Sequence, residues 1–309
     1  PESLTSIGEK AFSSCSSLTN VTIPKNVATI GERAFENCSS LTSIIIDYGL
    51  PVIGDYAFSS CPALRSIVIP NSVASIGQYA FSGCTTLTSV TVPDSVSSIG
   101  AYSFRACSSL QDFSLPSSLT TIQNNAFEDC TALTSIVIPE NISSIGGEIF
   151  NRCSALTTIT IPEGISSIGF AFSGCTGLSN IIIPGSLTSI ESDAFRGCTS
   201  LSSITIPDSV LSIQDSAFRD CTVLSSITIP ESVTTIGNYA FGNCSGLLNI
   251  VGCEGLISIG NYAFDGCSAL LSIPFVEGLT SIGDNAFRQC SGLTAITIPN
   301  SLTTLGSRA

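Results

Sequence analysis

A 23-residue repeat is the feature that most restricts the folds open to this chain. The sequence contains thirteen units, of which residues 162–183 form one shortened to 22, and the first eleven residues of a fourteenth. A period of this length is typical of solenoids, in which each coil buries its apolar side chains against its neighbours. We therefore expect like residues of successive coils to form continuous internal columns. The repeated phenylalanines are Phe12, Phe35, Phe58, Phe81, Phe104, Phe127, Phe150, Phe172, Phe195, Phe218, Phe241, Phe264 and Phe287.

One unit, residues 24–46, shows two hydrophobic periods. From Ile30 to Leu41, apolar residues recur at i, i+4, i+5, i+8 and i+11, which is typical of one face of a short helix. Ile44 and Ile46 alternate with other residues, which indicates a short strand. The proline that begins most units ends the preceding strand, because it has no N–H to donate. The sequence therefore predicts an α/β solenoid with one strand and one helical turn in each coil.

Composition excludes several classes of function. The chain has no His, which excludes catalysis by an imidazole base and the commonest zinc sites. Its net charge of -13 argues against nucleic acid or an anionic membrane as a partner. No apolar run approaches 18 residues, so we expect no membrane insertion in this segment. No insertion that could form a pocket interrupts the coils, so we predict no enzyme, no cofactor and no metal site.

The unit reads Leu-x-x-Ile-x-Ile-Pro-x-x-Val-x-x-Ile-Gly-x-x-Ala-Phe-x-x-Cys. This pattern resembles the BspA-like (Treponema-type) leucine-rich repeat family, and the resemblance covers essentially the whole chain. It implies a right-handed leucine-rich-repeat superhelix, with a parallel β-sheet on the concave face and short helical turns on the convex face. It also implies an extracellular or cell-surface protein with a role in adhesion. We expect residues 1–309 to form a single solenoid domain that is part of a longer chain.

The outward side chains of the predicted strands form a flat and nearly uncharged face of hydroxyls and β-branched methyl groups. Such residues also favour strands for conformational reasons alone, so the pattern does not require a binding role. The face lacks the Trp, Tyr and Arg anchors of tight interfaces, so binding would be weak in each coil and cumulative. Ile and Val interrupt the threonines, which argues against a regular ice-binding array. The candidate binding residues are Thr22, Thr91, Thr160, Thr205, Thr228 and Thr297.

Fourteen cysteines could form disulfides, bind metal or pack as free thiols. Stacked side chains in parallel coils hold their Cβ atoms about one coil apart, which is longer than a disulfide prefers. No two cysteines have the close spacing of a zinc site. The cysteine column is therefore predicted to be a ladder of buried free thiols. Cys253 lies outside this column, and we predict that it is exposed.

Four Asn-x-Ser/Thr sequons are candidate N-glycosylation sites. All four asparagines occupy positions that we expect to face outward, although such short motifs also arise by chance. They are Asn20, Asn37, Asn141 and Asn243.

Two further columns of repeated residues each allow two interpretations, one functional and one structural. Tyr56, Tyr79 and Tyr102 recur in successive coils, where their rings could grip a glycan or merely shield the solenoid surface. Glutamates that follow the proline position, such as Glu231 and Glu254, could share a divalent cation or form a solvated rim.

Two functions remain open at this point. The first is a non-enzymatic extracellular protein that binds proteins or glycans through an extended surface. The second is a subunit of a self-assembling, glycosylated filament, in which copies of the chain bind one another. The first and last units match the interior ones and carry no polar cap, which fits either a window of a longer protein or copies that abut.

Overall fold

The computed structural model describes residues 3–309. The chain divides into two compact units, Pro1–Leu156 (unit 1) and Thr157–Ala309 (unit 2). Within each unit, coils of the 23-residue repeat stack so that parallel strands pair in register. No helix among residues 3–309 is long and apolar enough to cross a membrane. That residues 1–309 form a single domain stays a prediction.

Unit 1 contains two sets of strands. The long strands follow the repeated leucine of each coil, and they are β2 (Asn20–Ile23), β4 (Ser43–Ile46), β6 (Ser66–Val68), β8 (Ser89–Thr91) and β10 (Asp112–Phe113). The short strands are β1 (Ser6–Ile7), β3 (Thr29–Ile30), β5 (Val52–Ile53), β7 (Ser75–Ile76), β9 (Ser98–Ile99) and β11 (Thr121–Ile122). The long strands pair as β2–β4 and β6–β8–β10, and the short strands pair as β1–β3 and β5–β7–β9–β11.

Unit 2 repeats this arrangement. Its long strands are β12 (Thr158–Thr160), β13 (Asn180–Ile182), β16 (Ser226–Ile229) and β18 (Asn249–Gly252). Its short strands are β14 (Ser189–Ile190), β15 (Ser212–Ile213), β17 (Thr235–Ile236), β19 (Ser258–Ile259), β20 (Ser281–Ile282) and β21 (Thr304–Leu305). The short strands form one six-stranded ladder, whereas the long strands pair only as β12–β13 and β16–β18.

The core of each unit consists of columns of identical residues, as the repeat predicts. Phe81 and Phe104 are buried, and their rings stack with centroids 5.4 Å apart and planes 10° apart. In unit 2, Phe218 and Phe241 stack at 5.3 Å. The prediction of continuous internal columns is confirmed. Because the rings inside each unit stack on those of the neighbouring coils, one coil supplies the apolar surface that the next coil buries.

The predicted helical turns are wrong, since no residue of the described range is helical. Where a helix was expected, Arg33 and Asn37 have φ of 58° and 59°, in the left-handed region. The intervening N–H groups alternate in their partners. Phe35 N–H donates to Ala57 O of the next coil at 2.9 Å, whereas Glu36 N–H donates to Arg33 O at 3.1 Å. This segment is therefore a series of tight turns that exchanges helical hydrogen bonds for bonds between coils.

The short strands were also missed, because Ile30 was assigned to the helical face. In the structure Thr29 is exposed and Ile30 is buried within β3, which pairs with β1. Each coil therefore has two strands and a run of turns.

Side-chain hydroxyls add a further set of bonds between coils. Ser95 Oγ donates to Val73 O at 2.7 Å in unit 1, and Ser232 Oγ donates to Val210 O at 2.7 Å in unit 2. At another position, Thr42 Oγ1 donates to Thr19 O at 2.9 Å. These bonds give the abundant Ser and Thr residues a structural role, because they add hydrogen bonds between neighbouring coils to those of the backbone.

Candidate functional site

The most extensive candidate surface in each unit is formed by the outward side chains beside the long strands. We call it the strand face and define it by the positions of Thr42, Ser43 and Ile45 in each coil. In unit 1 it carries exposed apolar side chains, among them Ile45 at 55% and Val137 at 79% exposure. Its charged members are Arg65 and Asp112. The unit 1 strand face is therefore mixed, with apolar, hydroxyl and a few charged groups.

The strand face of unit 2 has no ionisable side chain at any of these positions. Its exposed apolar members are Ile182, Leu248, Val251 and Leu271. The acidic residues of unit 2, such as Glu191 and Asp215, lie outside it. In a chain of net charge -13, this absence of charge distinguishes the strand face from the remaining surface.

The six candidate threonines are all exposed on these faces. Thr22 and Thr91 belong to unit 1, in β2 and β8, and Thr160 and Thr228 lie in β12 and β16 of unit 2. Thr205 and Thr297 are in unit 2 outside its strands. Their role in binding stays a prediction.

The tyrosine rings of successive coils stack directly on one another. The rings of Tyr56, Tyr79 and Tyr102 lie face to face, with centroids 4.6 and 4.5 Å apart, and the Arg33 guanidinium lies 4.5 Å from the centroid of Tyr56. Neighbouring rings cover one another, so a ligand cannot stack between them. The geometry therefore favours the shielding interpretation over a glycan grip.

The four sequon asparagines are exposed. Asn141 Nδ2 donates to Ser117 O at 2.8 Å, and Asn243 Nδ2 donates to Asp220 Oδ1 at 2.8 Å. Attachment of a sugar would replace these bonds, and glycosylation of all four sites stays a prediction.

The prediction that Cys253 is exposed is wrong. Its side chain is only 2% exposed, because it occupies the position where most coils place an inward-turning proline. Burial raises the pKa of its thiol to about 12. All fourteen cysteines are free, and only Cys15 and Cys290 are partly accessible. In the main column most thiols lie against the carbonyl of a phenylalanine, as Cys84 Sγ does with Phe58 O at 3.3 Å.

The glutamate rim shows hydrogen bonds to the protein itself. The carboxylate of Glu277 accepts from the backbone N–H groups of Asn300 and Ser301 at 3.0 Å each. These bonds, led by the one from Asn300, lower the pKa of Glu277. Among residues 3–309, no three His, Cys, Asp or Glu residues are grouped so that they could hold a metal ion.

A charged cluster lies on the turn side of unit 1. The buried carboxylate of Glu128 accepts from Arg105 Nε at 2.9 Å and from an Arg152 terminal nitrogen at 2.7 Å. Arg152 Nε also contacts Asp129 at 2.6 Å, and this hydrogen bond lowers the pKa of Asp129. We call these four residues the Glu128 cluster. It joins three successive coils on their turn side.

A groove of about 560 Å³ opens on the strand face of unit 1, and sequence reasoning missed it. Its lining includes Asp112, Phe113, Ser135, Ile136 and Val137. The signal that could have located it is Phe113, an aromatic residue in a column otherwise made of Ile and Val.

The sequence profile of the BspA type leucine-rich repeat region matches residues 1–110, 51–170, 155–270 and 245–309. The chain belongs to this family. Domains of the family generally bind proteins and are generally non-catalytic. No curated protein gives a significant match to the chain.

Two solved structures share both sequence and fold with the chain. A leucine-rich repeat protein from Bacteroides ovatus is 37% identical, with a TM-score of 0.89 over 98% of this chain and 78% of that one. A leucine rich cell surface protein from Faecalibacterium prausnitzii is 34% identical, with a TM-score of 0.61 over 97% of this chain and 78% of that one. The family and these structures show a solenoid of about thirteen turns with parallel strands, of a type common among bacterial cell-surface proteins.

Proposed function

We propose that this chain is a non-enzymatic module, located at the cell surface or outside the cell, that binds extracellular proteins or glycans through its strand faces. The observation that carries this proposal is the strand face of unit 2, where exposed Ile182, Leu248, Val251 and Leu271 lie on a surface without ionisable side chains. An apolar surface of this kind loses little hydration energy when it is covered, and exposed apolar patches mark interaction sites.

The distribution of charge in unit 2 also favours extracellular proteins or glycans as partners. The acidic residues surround the strand face of unit 2 without entering it, so they disfavour anionic ligands but leave neutral contacts unhindered. Hydroxyl groups at Thr160, Thr205 and Thr228 can hydrogen-bond to a polar partner. Each coil contributes a few modest contacts, so affinity depends on how many coils are engaged.

Location outside the cell is supported by kinship with a protein described as a cell surface protein. The free, buried thiols are compatible with this location, because burial raises their pKa and suppresses the thiolate that oxidants attack.

The test compares two pairs of substitutions in unit 2. Ile182→Asp with Val251→Asp places charge on the strand face, whereas Leu211→Asp with Ile257→Asp places the same charge on exposed apolar residues outside it. Binding to immobilised extracellular-matrix proteins and to a glycan array is measured for both. We expect the strand-face pair to weaken binding by more than tenfold and the control pair by less than twofold. Equal losses, or no binding by the unaltered chain, would contradict the proposal.

A second candidate, a filament subunit, is favoured by the same uncharged face. Two such faces can pack about 10 Å apart without bringing like charges together, although the molecules repel elsewhere. Sedimentation velocity and negative-stain microscopy would detect fibrils that the strand-face pair of substitutions abolishes. Monomers at all concentrations would exclude this candidate.

A further inference from the structure

The long-strand ladder of unit 1 has two breaks: β4 and β6 are not paired, and a partial opening follows β10. Between β2 and β4, four successive residue pairs are in register, from Asn20 with Ser43 to Ile23 with Ile46. After β10 the ladder is reduced to a single bridge, between Asp112 and Ser135. The groove lies along this opening, with Phe113 and Ile136 buried and Val137 exposed at its edge.

Phe113 is the largest apolar residue in the lining of the groove. Its ring is wedged between Phe104 and Phe127, in edge-to-face contact with centroids 4.9 and 4.8 Å away. A phenylalanine is larger than the isoleucine or valine of the other coils, so it brings more apolar surface to this position than any other coil does.

The two coils that border the groove remain joined by hydrogen bonds and ion pairs on their turn side. Phe104 N–H donates to Ala126 O at 2.9 Å and Ala106 N–H donates to Glu128 O at 2.7 Å. The Glu128 cluster bridges the same coils through Arg105, whose Nε lies 2.9 Å from Glu128. On the strand side, Thr134 N–H still donates to Gln111 O at 3.2 Å, so the two coils stay joined beside the groove.

The groove has one charged group. Asp112 is exposed, and it forms no ion pair with any residue of the described part of the chain. The remaining lining is apolar or hydroxyl-bearing, with Ile136 and Val137 beside Ser114 and Ser135. A carboxylate beside an apolar trough matches a basic side chain whose neighbours are apolar, because the cation pairs with the acid while the apolar groups are buried.

We propose that this groove is a specificity subsite for an extended peptide segment that carries an arginine or lysine between β-branched residues. This proposal rests on the proposed binding function and names the partner that the unit 1 strand face selects. The volume, about 560 Å³, lies within the range of ligand pockets and holds a few side chains. The net charge of -13 attracts a cationic segment and disfavours an anionic one.

The probe is a fluorescein-labelled peptide, acetyl-Thr-Val-Arg-Ile-Thr, and its analogue with citrulline in place of arginine, which keeps the shape without the charge. Binding is followed by fluorescence anisotropy. We expect the arginine peptide to bind the unaltered chain at least fivefold more tightly than the citrulline peptide. Asp112→Asn should remove this preference and leave the citrulline peptide unaffected.

Two further variants distinguish an effect of the groove from the effect of the protein's overall negative charge. Asp47→Asn removes the same charge from an exposed site of unit 1 outside the groove and should change the affinity by less than twofold. Phe113→Ile should reduce the apolar surface of the groove and weaken both peptides, while circular dichroism confirms that the coils remain folded. Equal binding of the two peptides, no binding of either, or an equal effect of Asp47→Asn and Asp112→Asn would overturn the proposal.

The two proposals fail separately. If capture of extracellular proteins does not depend on the unit 2 strand face but the arginine preference requires Asp112, the subsite stands and the proposed function falls. If capture requires the unit 2 face and the arginine preference is absent, only the subsite is lost.

Discussion

At the scale of single residues, the cysteine column combines apolar packing with a weak polar contact. Cys84 is buried, and its Sγ lies 3.3 Å from Phe58 O. A small side chain is needed there, because the phenylalanine rings stack 5.6 Å apart between Phe58 and Phe81 and leave little lateral space. Cysteine supplies the volume of a small apolar residue and a weak donor for the carbonyl.

The buried thiols should make the folded protein sensitive to alkali. Burial raises the pKa of Cys84 and of Cys221 to about 12, whereas an unfolded cysteine titrates near about 8.5. A raised pKa contributes stability that is fully present below about 8.5 and is lost as the pH rises towards 12. We expect the free energy of unfolding, measured in urea, to fall between pH 8 and pH 10.5. A constant value would contradict the burial of the column.

Thiol accessibility provides the matching measurement. At pH 8 an aromatic disulfide reagent should react with Cys15 and Cys290, which are partly accessible, well before the other cysteines. In urea all fourteen should react. Rapid modification of Cys253 in the folded chain would contradict its burial.

In unit 2, amide and carboxylate side chains of successive coils form a ladder of hydrogen bonds. Asn238 Oδ1 accepts from Asn261 N–H at 2.8 Å, and Asn238 Nδ2 donates to Asp215 Oδ2 at 3.2 Å. Asn238→Ala removes both bonds and should lower the free energy of unfolding by about 1 kcal/mol, as measured in urea. Asn180→Ala, on the exposed strand face, is the control and should change it by less than about 0.5 kcal/mol.

At the scale of elements, the sequence predicted the long strands, their register and the buried columns, because an exact repeat places like residues above one another. The turn side was predicted wrongly for a physical reason. The spacing of Ala34, Phe35 and Cys38 fits a helical face, but N–H groups there gain partners in the next coil, which an isolated segment does not have. Gly197 and Asn243, which take φ of 72° and 59°, mark the left-handed positions that a helix cannot contain.

The candidate site was predictable only in part. The outward strand columns follow from alternation, so the exposed threonines could be named. The groove depends on how Phe113 packs against the neighbouring coils, and a residue pattern does not contain that packing. Cys253 was predicted to be exposed but is buried. Its coil departs from the repeat, and the repeat cannot predict the environment of a residue that does not follow it.

The Glu128 cluster should make the turn side of unit 1 depend on one arginine. Arg152→Met keeps the aliphatic stem but removes the contacts to Glu128 and Asp129, leaving a buried carboxylate with fewer partners. We expect a loss of about 1 to 2 kcal/mol in the free energy of unfolding, since Arg152 is itself half exposed. The measurement is urea unfolding at pH 7.

Arg196→Met is the matched control for this prediction. Arg196 is similarly exposed, and its contacts to Asp193 and Asp220 are longer, at 3.5 and 4.0 Å. Its loss should cost less than about 0.5 kcal/mol. The loss in Arg152→Met should also diminish below pH 4, because the hydrogen bond from Arg152 lowers the pKa of Asp129 and this contribution to stability disappears as Asp129 becomes protonated; an equal cost at pH 3 and pH 7 would contradict the role of the ion pairs.

At the scale of the whole molecule, stability is a sum over neighbouring coils. Coils contact those adjacent in sequence through backbone ladders, stacked rings and hydroxyl bonds that all connect positions about one repeat apart. A solenoid of this kind has no distant contacts to close, so what matters for folding is the register between neighbours. The number of coils is of less consequence.

Deletion of one repeat tests this dependence on register. Removing residues 207–229 from unit 2 joins Ile206 to Pro230 and restores the repeat, so that Phe195 can stack on Phe241. We expect this variant to fold, with unchanged circular dichroism per residue and a smaller dependence of unfolding on urea, because less surface is buried. Removing residues 207–218 is a smaller change that destroys the register, and it should abolish cooperative unfolding of unit 2. If the shorter deletion were the better tolerated of the two, the columns would not be what holds this unit together.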